Sequence, residues 1–551
     1  MGKLFDVKKD RKIRLFYLTI ILLFIFLAAT ACSPAEQPPE TDPADDTEGE
    51  QINGEEAVNL NIAIPRDEGP LNPYTYVTGY PGHNLLLLIY DTVFQLDEDN
   101  VPQPWLVNNY EVDQEGLDWS FTLHDGITWH DGTPMTAKDI KFSFEYYREH
   151  SHSRWTNAVS AIEDVLIEDE LNFRIVLSEP VPAFLTNPLS DVPIIPGHIW
   201  QNVSAPDSFT DHTGSGPYQI AKYVPDQTYK LEANTDYFLG KPAVEEIGMV
   251  IIEDQTATFT ALRIGDIDFA SRSLQPELVE NFSGEDETDI ITGPGFTSTL
   301  LQINNEREPF DDSLVRKAIS MAIDLDDLVD TVMLGYGTAG NPGYIHPGLP
   351  HYNPEVEHVY DPDEAAALLE EAGFNEAYGN LEFKLLTHSN NPLRVRAAEM
   401  ISDNLNAVGI TVSVQALDSA TLDDMVWPEF DTTRGRDYDL SIWGWSAPVM
   451  IDPERLGGLF HSDLANHGTL NVGAYGNSEV DTLVEELSVT ADQERQEEIF
   501  NQLQVLLADS VPFVTLYYPD DIYAYRPGVY DNWTYQNGQG ILNKLSFVDM
   551  P

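Results

Sequence analysis

The chain has 551 residues, 42% of them hydrophobic and one a cysteine, with 92 acidic side chains against 29 basic ones and a formal charge of −63. A charge of that sign and size excludes nucleic acid and anionic lipid surfaces as partners, and a single thiol excludes a disulfide framework or a thiolate metal site. The apolar fraction is enough for large cores, and the length allows roughly two to four domains.

In chain order, a basic start from Lys3 to Arg14 carries six Lys or Arg against two acids and runs into the apolar segment Leu15 to Ala31, which stops at Cys32. The pattern predicts an export signal over residues 1–31, its basic end staying inside while the apolar segment enters the membrane. Ala29-Thr30-Ala31 before Cys32 resembles a bacterial lipobox, with Ala29 where Leu is usual. The resemblance implies cleavage at that point and a diacylglyceryl group on Cys32. The competing reading is an uncleaved anchor, because the apolar segment lies at the short edge of a bilayer span. Residues 32–56 are Pro, Asp, Glu, Gln, Thr and Gly with few apolar side chains, and they read as a disordered acidic tether. Without the six bases and two acids of residues 1–31 the formal charge is −67, spread along the whole chain and not gathered into one patch. That distribution suits the solvated surface of an exported protein in saline or alkaline surroundings better than a site for a cation. The expected location is the outer face of the cell membrane, held by the lipid, or the periplasm.

Beyond the tether, short β-branched runs at Leu60–Ile64, Phe121–Leu123, Phe173–Leu177 and Ile247–Ile252 alternate with helical patterns, which makes the body α/β. The helical patterns cover Ala137–Arg148, Ser313–Ala322, Asp363–Ala372, Leu393–Val408, Val480–Glu486 and Asp492–Ala508. Asp125-Gly126 and Asp131-Gly132 predict chain reversals, and Thr136 is placed to cap the helix that follows. His124 and His130 belong to this turn region and read as packing groups, not metal ligands. No phosphate-binding loop is present: Lys241 is followed by Pro242, and Thr235 stands where the first glycine is needed. The chain also lacks H-E-x-x-H and G-x-S-x-G, so nothing marks it as an enzyme.

Several ordered motifs carry a family resemblance. They begin with Pro102-Gln103-Pro104-Trp105-Leu106 and the stretch from Trp119 to Ile140, then Gly214-Ser215-Gly216-Pro217-Tyr218. Asn304, Pro309-Phe310-Asp311-Asp312, Val315 to Asp324 and Tyr360 to Gly373 follow, and Tyr438-Asp439-Leu440, Gly444-Trp445 and Tyr475-Gly476-Asn477 complete the series. Over about residues 57–520 the chain resembles the family 5 extracellular solute-binding proteins, the oligopeptide, dipeptide and nickel receptors of ABC importers. The resemblance implies a two-lobed periplasmic-binding-protein fold of type II, with an extra third domain, closing on ligand by a hinge. Residues 57–92, 213–300 and 521–551 are then the first lobe, 93–212 the extra domain and 301–520 the second lobe. It also implies no catalysis and no cofactor, a monomer, and an ABC permease as partner. The Gly214 to Pro217 boundary stands by itself, since Gly and Pro punctuate the chain there.

In peptide-binding members an aspartate shortly after Gly-Trp pairs with the peptide's α-amino group. Here Trp445 is followed by Ser446, Ala447 and Pro448, and the nearest acid is Asp452, which also reads as a turn residue before Pro453. Trp443 and Trp445 stand two apart in a predicted strand and so share a face, with Trp445 placed at the cleft by the resemblance. Tyr517 and Tyr518 fall where the family has a pocket-side strand, one expected to point in and the other away. A peptide leads as the solute. An oligosaccharide stacked on the indoles and a nickel chelate are the alternatives, and peptide sensing for signalling is the alternative of another class.

Overall fold

The computed structural model describes residues 58–550 apart from 78, 182, 285–286, 428–435, 447–452, 466–469 and 491. The first part of the chain builds strands Asn59–Ile64 (β1), Phe94–Leu96 (β2), Pro102–Pro104 (β3), Val107–Val112 (β4), Asp118–Leu123 (β5), Ile162–Ile167 (β6), Asn172–Leu177 (β7), Tyr218–Val224 (β8), Thr228–Ala233 (β9), Glu246–Ile251 (β10), Phe269–Ala270 (β11) and Asp289–Pro294 (β12). The second part adds Ser298–Ile303 (β13), Gly337–Ala339 (β14), Phe383–His388 (β15), Val412–Leu417 (β16), Leu440–Trp445 (β17) and the long Phe513–Tyr525 (β18). The helices Ala137–Glu149, Ser313–Met321, Pro362–Glu371, Pro392–Ala407, Ser478–Leu487 and Gln493–Ser510 fall where the sequence periodicity places them. At the first of these the Asp139 carboxylate reaches back to the Thr136 amide at 2.9 Å and hydroxyl at 3.2 Å, closing a capping box. The Pro362–Glu371 helix starts one residue before the expected Asp363. Asp361 accepts the Glu364 amide at 2.9 Å, and Pro362 fits the first turn, where its missing N–H costs nothing.

One mixed sheet runs in the order β16-β15-β17-β13-β18-β11-β1-β10-β9-β8, with β12 and β14 also paired to β18. The start of β18 pairs with β13, Leu301 opposite Val514, and its end pairs with β12 from Pro294 opposite Asp520 to Asp289 opposite Tyr525. Because β12 and β13 are consecutive, two neighbouring strands cross between the half-sheets, at residues 294–298 and 518–521. A separate antiparallel sheet, β4-β5-β7-β6, lies within residues 107–177.

Burial follows the strand alternation. In β17, Ile442 enters one core with Leu301, while Trp443 enters the core on the opposite face with Leu300; in β18 a register shift beside Thr299 and Leu300 leaves Leu516 and Tyr517 in the first core and Tyr518 in the second. A third core joins Leu60, Ile62 and Leu231 of the first half-sheet to Trp105, Phe121 and Ile140 without a break. Asp91 pins this junction: it accepts from Lys544 Nζ at 2.5 Å, Tyr237 and Ser215 hydroxyls at 2.9 Å each and Trp105 Nε1 at 3.0 Å. A Cβ on Gly214 would stand 1.9 Å from the Ile89 carbonyl oxygen, so the Gly-Ser-Gly-Pro motif is a close backbone approach. Residues 57–551 form one compact unit. Among the described residues no helix is long and apolar enough to cross a membrane.

Candidate functional site

β17 ends in Ser441-Ile442-Trp443-Gly444-Trp445, and its odd-numbered side chains share one face, as the two-residue period requires. On that face Trp443 and Trp445 are each 7% exposed, and both meet Trp427 nearly edge to face, at ring distances of 6.3 and 6.1 Å. His388, the last residue of β15, stands 6.0 Å from Trp443. Native proteins leave few buried polar atoms unpaired, yet this region gathers several. Trp427 Nε1, Trp443 Nε1, Trp445 Nε1, His388 Nδ1 and Ser441 Oγ have no hydrogen-bond partner among the described residues.

A guanidinium lies over the opposite, even-numbered face of β17, the side of Ile442 and Tyr517. Asn391 accepts the Arg394 amide at 3.1 Å and caps the Pro392–Ala407 helix, which fixes Arg394 in the first turn with its side chain toward β17. A Cβ on Gly444 would fall 2.5 Å from Arg394 Nη2 and 2.3 Å from the Ser298 carbonyl oxygen, so only glycine leaves the guanidinium its place. Burial pulls the Arg394 pKa down, and the Tyr517 hydroxyl works against that shift. The same guanidinium adds to burial in lowering the pKa of His388. Among the described residues no carboxylate lies within ion-pair distance of Arg394. A half-buried cation in this state is unfavourable alone and binds a carboxylate strongly.

The other predicted positions separate. Tyr517 and Tyr518 lie on opposite faces of β18, and both are buried. Tyr517 is on the Arg394 side, whereas the Tyr518 hydroxyl donates to the Tyr344 carbonyl at 2.8 Å and accepts from Asn341 at 3.1 Å. Ser446 is exposed, and the Trp445 amide donates to Ser298 Oγ at 3.3 Å. Ala447, Asp452 and Cys32 lie outside the described residues. Arg394, Trp427 and His388 escaped the sequence reading. Their only signals are a rare base in an acidic chain and a tryptophan before Pro428, neither of which points to a site until β15, β17 and the helix start are brought together. Among the described residues no group of His, Cys, Asp or Glu could hold a metal ion.

Comparison with known proteins gives this geometry a context. Residues 101–466 match the sequence model described as bacterial extracellular solute-binding proteins, family 5 Middle. The chain is 26% identical over 540 residues to the oligopeptide-binding protein AppA of Bacillus subtilis, covering 93% of this chain and 94% of AppA. It is 28% identical over 419 residues to the probable D,D-dipeptide-binding periplasmic protein DdpA of Escherichia coli, covering 75% and 78%. Among solved structures, the substrate-binding protein CtaP of Listeria monocytogenes superposes with a TM-score of 0.79 at 23% identity, covering 89% of this chain and 99% of CtaP. NikZ of Campylobacter jejuni in complex with Ni(L-His) superposes with a TM-score of 0.70 at 25% identity, covering 85% and 94%.

Proposed function

The chain belongs to the bacterial extracellular solute-binding proteins of family 5, and from that premise we propose that it captures a peptide with a free carboxylate and delivers it to an ABC permease. The observation that carries the reading is Arg394. A guanidinium that has lost much of its water, with no acid within ion-pair distance among the described residues, is a receptor for an anionic group. A peptide offers that group at its C-terminus. The indoles suit a stacked sugar less well, because both are buried and packed on Trp427 and neither offers an open ring face. The work is differential affinity between two arrangements of the half-sheets, with residues 57–92, 213–300 and 521–551 as one lobe, 93–212 the extra domain and 301–520 the other lobe. Export, processing at Cys32 and a lipid anchor on the outer membrane face complete the proposal, with the receptor acting as a monomer.

Native mass spectrometry of the purified protein identifies the retained solute, and calorimetry with that peptide tests the anchor. Arg394→Ala should weaken a free-carboxylate peptide by about 1.5–3 kcal/mol, the scale of a hydrogen bond to a charged group, and leave its C-terminal amide nearly unaffected. Equal losses for acid and amide would remove Arg394 from the solute's carboxylate.

A further inference from the structure

Where β18 crosses between the half-sheets it carries Asp521 past the end of β12, opposite Gly293. Asp521 Oδ2 is 3.5 Å from the Tyr523 hydroxyl. The Tyr523 ring lies 6.3 Å from Tyr80 and 6.5 Å from Tyr535, so three phenols stand around one carboxylate. Two glycines make the room. A Cβ on Gly293 would be 2.3 Å from the Tyr535 ring, and one on Gly295 would be 3.2 Å from Asp521 Cγ. Tyr523 is 3% exposed and forms the floor, whereas Tyr80 is 37% exposed and leaves the box open to solvent.

Among the described residues the charged and titratable groups facing Asp521 are Asp520, Tyr80, Tyr523 and Tyr535, and none is a cation. Burial, with the like charge of Asp520 adding to it and the Tyr523 hydroxyl opposing it, pushes the Asp521 carboxyl up to about 6. Burial raises Tyr523 and Tyr535 too, and the Asp521 charge raises all three phenols, so they remain neutral rings. A carboxylate inside neutral aromatic rings lacks one thing, a positive charge, and ring faces attract cations within about 6 Å.

We infer that Asp521, Tyr80, Tyr523 and Tyr535 form a receptor for an alkylammonium group, and that the α-amino group of the bound peptide docks there. The second clause rests on the peptide reading above; the first does not. It supplies the acid missing after Trp445, where Ser446 stands exposed. The placement fits as well. Gly295 borders the box and Ser298 borders Arg394, and three residues of chain span at most about 11 Å. An extended peptide advances about 3.3–3.6 Å per residue, so the amine and carboxylate of one short peptide reach both charges.

Three measurements on the mature protein test this. Calorimetry with penta-alanine and N-acetyl-penta-alanine at pH 7.5 should show at least a tenfold preference for the free amine, removed in Asp521→Asn. The preference should fade as pH drops through 6, as the carboxyl protonates. In ligand-free protein the sign is opposite: a carboxyl whose folded pKa is raised stabilises the fold below its unfolded pKa near 4 and loses that contribution as pH rises through about 6. Asp521→Asn should therefore melt higher than wild type at pH 7.5, with the gap closing near pH 4. If wild type binds neither peptide, the peptide reading fails, and propylammonium chloride becomes the probe. Protection of wild type but not Asp521→Asn by propylammonium, measured against sodium chloride, would keep the ammonium site. An amine preference that survives Asp521→Asn, or no ammonium effect in either protein, overturns it.

Discussion

At the residue scale the site depends on what Gly444 lacks. Its missing Cβ leaves room for both the Arg394 guanidinium and the Ser298 carbonyl, so Gly444→Ala must displace either the arginine or β13. We expect a stability loss of about 1–3 kcal/mol, the usual scale of overpacking, with a larger loss of affinity for a free-carboxylate peptide than for its amide. Urea unfolding followed by calorimetry on the two peptides measures both. Retained preference for the free acid would show that Arg394 reaches its carboxylate from another position. The two tryptophans of β17 were legible in the sequence as a same-face pair. The guanidinium over the other face of the strand was not, because Arg394 lies some fifty residues earlier and only sheet pairing brings β15 and its helix against β17.

At the element scale, β18 and the β12–β13 junction are the two strands that cross between the half-sheets, and the core that holds β1 and β9 continues into residues 93–212. A shared core moves as one body, so residues 93–212 should follow the first half-sheet when ligand binds. Spin labels at Glu149 and Asp236 should keep their separation on adding peptide, while labels at Asp236 and Glu494 should approach each other. A constant Asp236–Glu494 distance in the presence of bound peptide would remove the closing motion. Fixed separation in that pair with movement in the other would detach the extra domain from the first lobe. The helices were legible from their 3.6-residue period and their caps. The continuity of the core across residues 93–212 was not, because Asp91, Trp105, Tyr237 and Lys544 are scattered along the chain and meet only in the fold.

At the scale of the whole molecule, the chain carries a large negative charge on a body that needs no disulfide, and its proposed attachment to the membrane rests on Cys32. Cys32→Ser should leave the precursor unprocessed and unlabelled by radioactive fatty acid, which gel mobility and autoradiography report together. Mature-sized, freely released protein from that variant would refute the lipid anchor. The sequence by itself determined the α/β class, the family, six of the helices, some of the strands and the tryptophan face, because periodicity, caps and ordered motifs are local properties of the chain. The tertiary structure alone decided which charges stand without an ion-pair partner among the described residues. Arg394 near Gly444 and Asp521 among three tyrosines are set by strand pairings between distant segments, and the cost of a buried charge depends on everything that packs around it.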